Sequence, residues 1–284
     1  MPETVVAIGE ILWDVFPDHE RLGGATFNFS AHLSRLGEHV VFVSAVGRDA
    51  LGDRALDRAR ELGIDTRWLK RVDHATGIGN VSLDASGKPT FDLQRPAAYD
   101  MLVLDDSELC NIARLQPSWI YFGTLHQIVP AIHQLVERLI AAMPDAMRFY
   151  DVNLRPDCYT ASLIDTLLRT AHVVKLSDDE AEVLGPMFGV AADSLQTFCE
   201  RLAKRFTLRA VCVTRGPRGA VMWRDGNYAE SPGVPVHVVD TVGAGDAFAA
   251  ALLHGLGGGW PMQRILDFAN RLGALVASSP GAIP

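Results

Sequence analysis

The stretch Asp240-Thr241-Val242-Gly243-Ala244-Gly245-Asp246-Ala247-Phe248 holds the densest chemistry in this sequence. Two glycines flank an alanine, and a strong helix former runs on from Ala247 to Leu256. Glycine lets backbone N–H groups turn toward one point with no Cβ in the way. A helix that starts there aims its positive end at the same point. Such a cradle suits a transferring phosphoryl group, whose oxygens carry spread negative charge. Asp246 falls in the first turn of that helix. A carboxylate there either caps the helix or acts as a general base, and the second role needs a substrate hydroxyl within hydrogen-bond reach.

A second candidate lies near the other end. Gly23-Gly24-Ala25-Thr26-Phe27-Asn28 opens the first clear helix. Paired glycines permit close backbone approach to a ligand, and the Asn28 amide offers a cap or a donor and acceptor for a polyol. Asp14 follows the first strand and the apolar Ile11-Leu12-Trp13. It stands just past a strand end, where α/β sheets bind ligands, and carboxylates and amides suit sugar hydroxyls. Two other nucleotide motifs are missing. No GxxxxGK[ST] occurs, which excludes a P-loop kinase in its usual form, and position 248 is Phe where GxGxxG needs its third glycine. A dinucleotide fingerprint also opens its domain rather than closing it, so a dehydrogenase is a poor reading.

These residues need a scaffold. Val5–Gly9, Val40–Val46, Met147–Val152, Val173–Leu176 and Ala210–Thr214 are short apolar runs that predict buried strands. Between them, Phe29, Leu33 and Leu36 repeat at helical spacing and stop at Gly37. Leu51, Ala55, Ala59 and Leu62 stop at Gly63, and Ile128, Ile132, Leu135 and Leu139 make a third helix. Strands alternating with helices predict a mostly parallel sheet covered on both faces. Residues 77–93 alternate around Ala85-Ser86-Gly87-Lys88 and predict a β-hairpin, and Asp14–Gly23 is non-helical. The expected architecture is therefore α/β, one unit over 1–284, with a small β lid built from about 10–24 and 77–100.

Composition narrows the function classes. The chain has 284 residues, 48% of them hydrophobic and 21% charged, with net charge −8. That is globular usage, and the negative balance argues against nucleic-acid binding. The start lacks a basic n-region, and no run reaches the roughly 18 apolar residues of a membrane span. Cys110, Cys158, Cys199 and Cys212 form no CxxC pair, which leaves zinc and redox readings without support and fits a cytoplasmic protein. His126, His133 and His172 have no metal-ligand spacing.

Together these residues resemble the ribokinase-like (PfkB) carbohydrate kinases. The glycine pair, Asn28, Gly37 and Gly47 follow that family's N-terminal pattern, and Asp240 through Leu253 follows its C-terminal one. Gly9-Glu10-Ile11-Leu12-Trp13-Asp14-Val15-Phe16-Pro17 and Tyr99-Asp100 resemble the fructokinase branch. The resemblance covers nearly the whole chain. It implies a Rossmann-like body with a β lid and in-line transfer from ATP-Mg to a sugar alcohol. It implies Asp246 as base, with Gly243, Ala244, Gly245 and Asp246 forming the anion hole. Asp14, Gly24 and Asn28 would hold the sugar. Thr214 and Gly216 match a nucleotide-binding turn, Asn270 matches an adenine-pocket position, and Asp240 matches a carboxylate near a monovalent-cation (potassium) loop. Asp151-Val152-Asn153-Leu154-Arg155 resembles a stretch of the fructokinase and ketodeoxygluconate kinase branches, with Asn153 and Arg155 facing the cleft.

One departure stands out. Where many members have Asn-x-x-Glu, this chain has Ser177-Asp178-Asp179-Glu180. Glu180 can orient magnesium through water, and Ser177 with Glu180 also spells a capping box; both roles can coexist. The expected acceptor is fructose. The alternatives are another furanose, a nucleoside, a sugar acid such as 2-keto-3-deoxygluconate, or a non-catalytic sugar- or nucleotide-binding regulator on the same fold. A sugar acid requires a cation such as Arg155 or Arg95. A nucleoside requires an aromatic platform, for which Trp13 and Phe27 are the candidates. An exposed lid edge could pair two subunits into a homodimer.

Overall fold

The computed structural model describes residues 2–83 and 89–284. In chain order the strands are β1 (Thr4–Ile8), β2 (Leu12–Val15), β3 (Glu20–Gly23), β4 (His39–Gly47), β5 (Leu69–Val72), β6 (Gly77–Leu83), β7 (Pro89–Leu93), β8 (Trp119–Gly123), β9 (Met147–Asp151), β10 (Val173–Ser177), β11 (Ala210–Thr214), β12 (Ala220–Arg224) and β13 (Asn227–Ser231). The helices are α1 (Ala25–Arg35), α2 (Ala50–Glu61), α3 (Asp106–Ala113), α4 (Pro130–Ala142), α5 (Ala161–Thr170), α6 (Asp178–Phe188), α7 (Leu195–Phe206), α8 (Ala244–Gly257) and α9 (Met262–Ala277). Among the described residues, none of these helices is long and apolar enough to cross a membrane.

The main sheet has the order β13-β12-β11-β10-β9-β8-β1-β4-β5. Every pair from β11 through to β5 is parallel, and β12 and β13 complete one side as antiparallel strands. The strand sequences explain this. Along β1, Val6 and Ile8 enter one core while Val5 and Ala7 enter another. A strand buried on both faces reads as an unbroken apolar run, which is why β1 and β4 are legible without alternation. The first core is closed by α3 to α7, through residues such as Leu109, Leu139, Ile164, Leu184 and Leu202. The second is closed by α1, α2, α8 and α9, through Phe29, Ala55, Leu252 and Ala269.

The five expected strands are β1, β4, β9, β10 and β11, with ends shifted by a residue or so. Strand β8, Trp-Ile-Tyr-Phe-Gly, was not anticipated, although it lies beside β1 in the centre of the sheet. Its aromatic run carries no period that separates strand from buried helix. The third expected helix begins later than Ile128, which sits in a 3₁₀ turn (Leu125–Ile128). Pro130 occupies the first turn of α4, where its missing N–H costs nothing, so the helix starts there.

A second sheet has the order β3-β2-β6-β7. The non-helical Asp14–Gly23 segment is an antiparallel β2–β3 pair, and β6 and β7 also pair antiparallel. The turn Ala85-Ser86-Gly87-Lys88 lies outside the described residues. Strand β2 joins the two pairs by running parallel to β6, with Asp14 opposite Gly79.

Candidate active site

The parallel strands β1, β8, β9 and β10 end on one side, and a cleft of about 340 Å³ lies over their carboxyl ends. Loops leaving these strands line it with Glu10, Thr124, Asn153 and Arg155. Two helix starts complete it. Gly24 caps α1 at φ 104°, and a Cβ there would come within 2.7 Å of the Glu10 carbonyl oxygen. Gly243 caps α8 at φ 79°, and a Cβ there would meet Ala282 Cβ at 2.4 Å. Both positions therefore demand glycine, for backbone conformation and for space.

The start of α8 decides what Asp246 is free to do. The capping residue is Gly243, which has no side chain, and among the described residues no N–H of α8 donates to the Asp246 carboxylate. Instead, Asn28 Nδ2 donates to Asp246 Oδ2 at 2.9 Å, across from α1. Ala247 donates to the carbonyl of Gly243 as the first full helical bond. The N–H groups of Gly245 and Asp246 precede that bond, so they have no i−4 carbonyl and are left for a ligand. The Asn28 Oδ1 atom is buried with no hydrogen-bond partner in the protein. Buried polar atoms are nearly always satisfied, so an acceptor left open beside a cleft marks a place for a donor such as a hydroxyl.

Asp14 enters from the small sheet. The neighbouring strands leave room for its carboxylate: a Cβ on Gly23 would lie 2.6 Å from Oδ2, and one on Gly79 would lie 3.3 Å from Oδ1. Burial pushes the Asp14 carboxyl up to about 7, with Arg155 pulling against it and Asp246 adding to it. Burial also raises Glu10 and Asp246; Asn28, Lys175 and Arg155 oppose the rise at Asp246. Four carboxylates (Glu10, Asp14, Asp151, Asp246) thus share the cleft with two cations, Arg155 and Lys175.

The expected residues Asp14, Gly24, Asn28, Asn153, Arg155, Gly243, Gly245 and Asp246 all line this cleft; Ala244 does not. Thr214 ends β11, and Gly216 begins the 3₁₀ turn that follows. Asn270 faces elsewhere, with Nδ2 donating to Ser231 Oγ and to the Pro232 carbonyl, both at 3.1 Å, so it ties α9 to the end of β13. Asp240 accepts from Arg21 Nη1 at 2.8 Å, from the Val242 N–H at 3.0 Å and from the Gly281 N–H at 3.1 Å. The cleft also holds polar residues not singled out from sequence as site residues, among them Glu10, Tyr121, Thr124 and Lys175. A signal existed for Lys175, because a lone lysine interrupts the apolar β10 run Val-Val-Lys-Leu. Glu10 follows the glycine that ends β1, the same topological place that singled out Asp14.

Among the described residues, no group of three or more His, Cys, Asp or Glu is placed to hold a metal ion. Glu180 Oε1 accepts from the Leu154 N–H at 2.6 Å and Oε2 from the Ser177 N–H at 2.7 Å, so the capping box is formed and also braces the Asn153–Arg155 loop. Each carboxylate oxygen keeps a second lone pair. This fits a magnesium ion that arrives on nucleotide phosphates and meets the protein through water, because Mg²⁺ retains several waters and needs no all-protein cage.

Comparison with known proteins agrees with this geometry. Residues 8–284 match the pfkB family of carbohydrate kinases. The chain is 30% identical to a fructokinase of Escherichia coli, covering all of this chain and 96% of that one. It is also 30% identical to a fructokinase of Klebsiella pneumoniae, with the same coverage. The fold superposes on a fructokinase of Xylella fastidiosa solved with bound ATP at a TM-score of 0.85 and 25% identity, covering 100% and 94% of the two chains. The architecture is ribokinase-like: a mostly parallel sheet between helices, with a small second sheet. This chain belongs to the pfkB family of carbohydrate kinases.

Proposed function

We propose that this carbohydrate kinase is a fructokinase, transferring the γ-phosphoryl group of ATP to a hydroxyl of fructose. One observation carries the reading: the Asp246 carboxylate is buried in the cleft, does not cap its helix, and is held by Asn28 beside the open N–H groups of α8. In this arrangement Asp246 accepts the hydroxyl proton as the sugar oxygen attacks phosphorus. The N–H groups of Gly245 and Asp246 meet the charge on the transferring phosphoryl oxygens. Asp14 and the open Asn28 Oδ1 hold the sugar, and Arg155 flanks it. The E. coli and K. pneumoniae relatives are fructokinases, and the X. fastidiosa one binds ATP, which supports both substrates.

The charge balance favours a neutral acceptor. Lys175 is already paired with Asp151, and Arg155 is faced by Glu10, Asp14 and Asp246, so the cleft offers a sugar acid or phosphorylated sugar no cation free of a carboxyl neighbour. Arg95, the other cation considered for an acid, is bound to Asp100 and to the Leu125 carbonyl. The aromatic platform for a nucleoside is also spoken for. Trp13 Nε1 donates to the Leu51 carbonyl with Arg54 stacked over its ring, and Phe27 is fully buried. A screen of ATP consumption over fructose, other sugars, 2-keto-3-deoxygluconate and nucleosides tests this reading. Fructose should exceed the sugar acid and the nucleosides in kcat/KM by at least about tenfold, the factor that ~1.4 kcal/mol of transition-state preference supplies. A sugar acid as the best acceptor would overturn it, and no turnover with any acceptor would restore the non-catalytic regulator.

The small sheet acts as the lid in this proposal. It contributes Leu12, Asp14 and Leu93 to the same cleft as Asp246, so closing it over the sugar excludes water, the competing acceptor. Magnesium bound to ATP would neutralise charge on the phosphates, with Glu180 oriented toward it through water. Asp240 carries a different expectation. Its carboxylate already accepts from the Arg21 guanidinium, which supplies the positive charge a potassium ion would bring. Turnover in potassium and in tetramethylammonium buffers of equal ionic strength should agree within about twofold, since the guanidinium is in direct hydrogen-bond contact with the carboxylate. A strict potassium requirement would show that Arg21 leaves this carboxylate in the working enzyme.

A further inference from the structure

The cleft contains a cation that the mechanism above leaves unused. Lys175 is the one charged residue of β10 and is 6% exposed. Its Nζ donates to Asp151 Oδ1 at 3.1 Å and Oδ2 at 3.3 Å, across the β9–β10 register that sets the two residues side by side. Asp151, fully buried, also accepts from the Tyr121 hydroxyl at 3.1 Å. The ammonium is thus anchored from one side. On its other side lies the glycine cradle: a Cβ built on Gly245 would fall 3.4 Å from Lys175 Nζ. Lys175, Gly245 and Asp246 line the same cleft.

Stability alone is a poor reason for this pair. Desolvating two charges consumes most of their attraction, and apolar replacements of buried ion pairs are often neutral or stabilising. A fixed, water-excluded cation is instead what a site needs where negative charge develops. We propose, on the reading that this chain transfers a phosphoryl group to a sugar, that Lys175 is a further catalytic residue. Its ammonium donates a hydrogen bond to a non-bridging oxygen of the transferring phosphoryl group, and Asp151 and Tyr121 are the positioning residues that hold it against Gly245. As the bond from phosphorus to the sugar oxygen forms, the bond to the bridging oxygen of ADP breaks and its electron pair leaves with ADP. The sugar proton goes to Asp246, and Lys175 keeps its own. Burial works against the ammonium, but the charges of Asp151, Glu180 and Asp246 outweigh it and hold Lys175 above its ordinary value, so it stays protonated.

The test compares wild type, Lys175→Met and the paired variant Lys175→Met/Asp151→Asn. The single variant strands a buried carboxylate, so it can lose stability for that reason alone; the paired variant removes both charges. Three quantities are read: melting temperature, turnover with fructose and ATP, and binding of ADP with aluminium fluoride by calorimetry. We expect the paired variant to melt at or above wild type and still turn over roughly 10²–10³-fold more slowly, the usual loss for one preorganised donor to a developing charge. Its KM for fructose should stay within about threefold, because Lys175 acts on the transferring group and not on the sugar. Affinity for ADP with aluminium fluoride should fall by a factor similar to the loss in turnover, as expected of a transition-state analogue. Recovery of turnover in the paired variant, or analogue binding equal to wild type, would overturn the assignment and leave Lys175 as half of a structural pair. A wild type that binds the fluoride complex tightly yet phosphorylates no sugar would refute the sugar-kinase reading, while loss of that binding in the paired variant would still uphold Lys175.

Discussion

Asp246→Asn is expected to lower turnover by roughly 10²–10⁴-fold while leaving the protein folded and at least as stable as wild type. A protonated sugar hydroxyl is a weak nucleophile, and only a carboxylate in contact with it can take its proton as the new bond forms. The asparagine keeps the size and can still accept from Asn28 through its carbonyl oxygen, so the geometry survives and the base does not. The stability sign follows from burial, which raises the Asp246 carboxyl. A carboxyl raised in the folded state contributes stability below its unfolded value, and that contribution is lost as pH rises through the folded value. At neutral pH the wild type bears the cost of a buried charge that asparagine lacks. The same shift places the acid limb of kcat/KM above the ordinary carboxylate range of about 4, because turnover falls as pH drops through the raised value. Had Asp246 been a cap, its loss would cost about 1 kcal/mol with activity retained. Melting temperature and kcat measured on one preparation separate these outcomes, and near-normal turnover would remove Asp246 from the chemistry.

Asp14→Ala is expected to raise the KM for sugar by roughly 10- to 100-fold and to change the KM for ATP by less than about twofold. Hydrogen bonds from hydroxyls to a charged acceptor contribute about 1.5–3 kcal/mol each, and each 1.4 kcal/mol is tenfold. The loss falls on the sugar because Asp14 reaches the cleft from the small sheet, opposite α8. The pH dependence supplies a second signature. With the folded value near 7, Asp14 is largely protonated at pH 6 and ionised at pH 8. Sugar KM should therefore fall as pH rises through 7 in wild type, and the alanine variant should lose that slope. Stability moves the other way: the raised carboxyl contributes fully below about 4 and loses that contribution as pH rises through 7. The variant should accordingly compare better with wild type in melting temperature at pH 8 than at pH 5. Equal losses for sugar and ATP would place Asp14 outside the sugar pocket.

Much of this was legible in the residues, for identifiable reasons. Gly24 and Gly243 were readable because a positive φ and a blocked Cβ leave glycine as the one residue that fits. Strands β1, β4, β10 and β11 were readable because burial on both faces turns a strand into an apolar run. Strand β8 was not, because a short aromatic run suits a buried helix equally well, and only its pairing between β1 and β9 resolves the choice.

What the chain order could not supply is which side chains meet. Asn28 and Asp246 stand 218 positions apart, and no spacing rule states that one donates to the other. From sequence the asparagine was a sugar ligand or a cap. In the fold its donor is turned on the carboxylate and its acceptor is left open. Whether Asp246 caps its helix was equally undecided, since a first-turn carboxylate has the same local sequence in either role; the packing of α1 against α8 settles it by offering a better donor. Asp240 shows the same division. Its type and its place before the glycines mark it as important, but only the approach of β3 brings Arg21 to it. Sequence by itself determined the backbone cradle and the kinds of residues around it, because backbone conformation is a local property. Tertiary structure decided the partners and the charge environment, because those depend on which distant segments exclude water together.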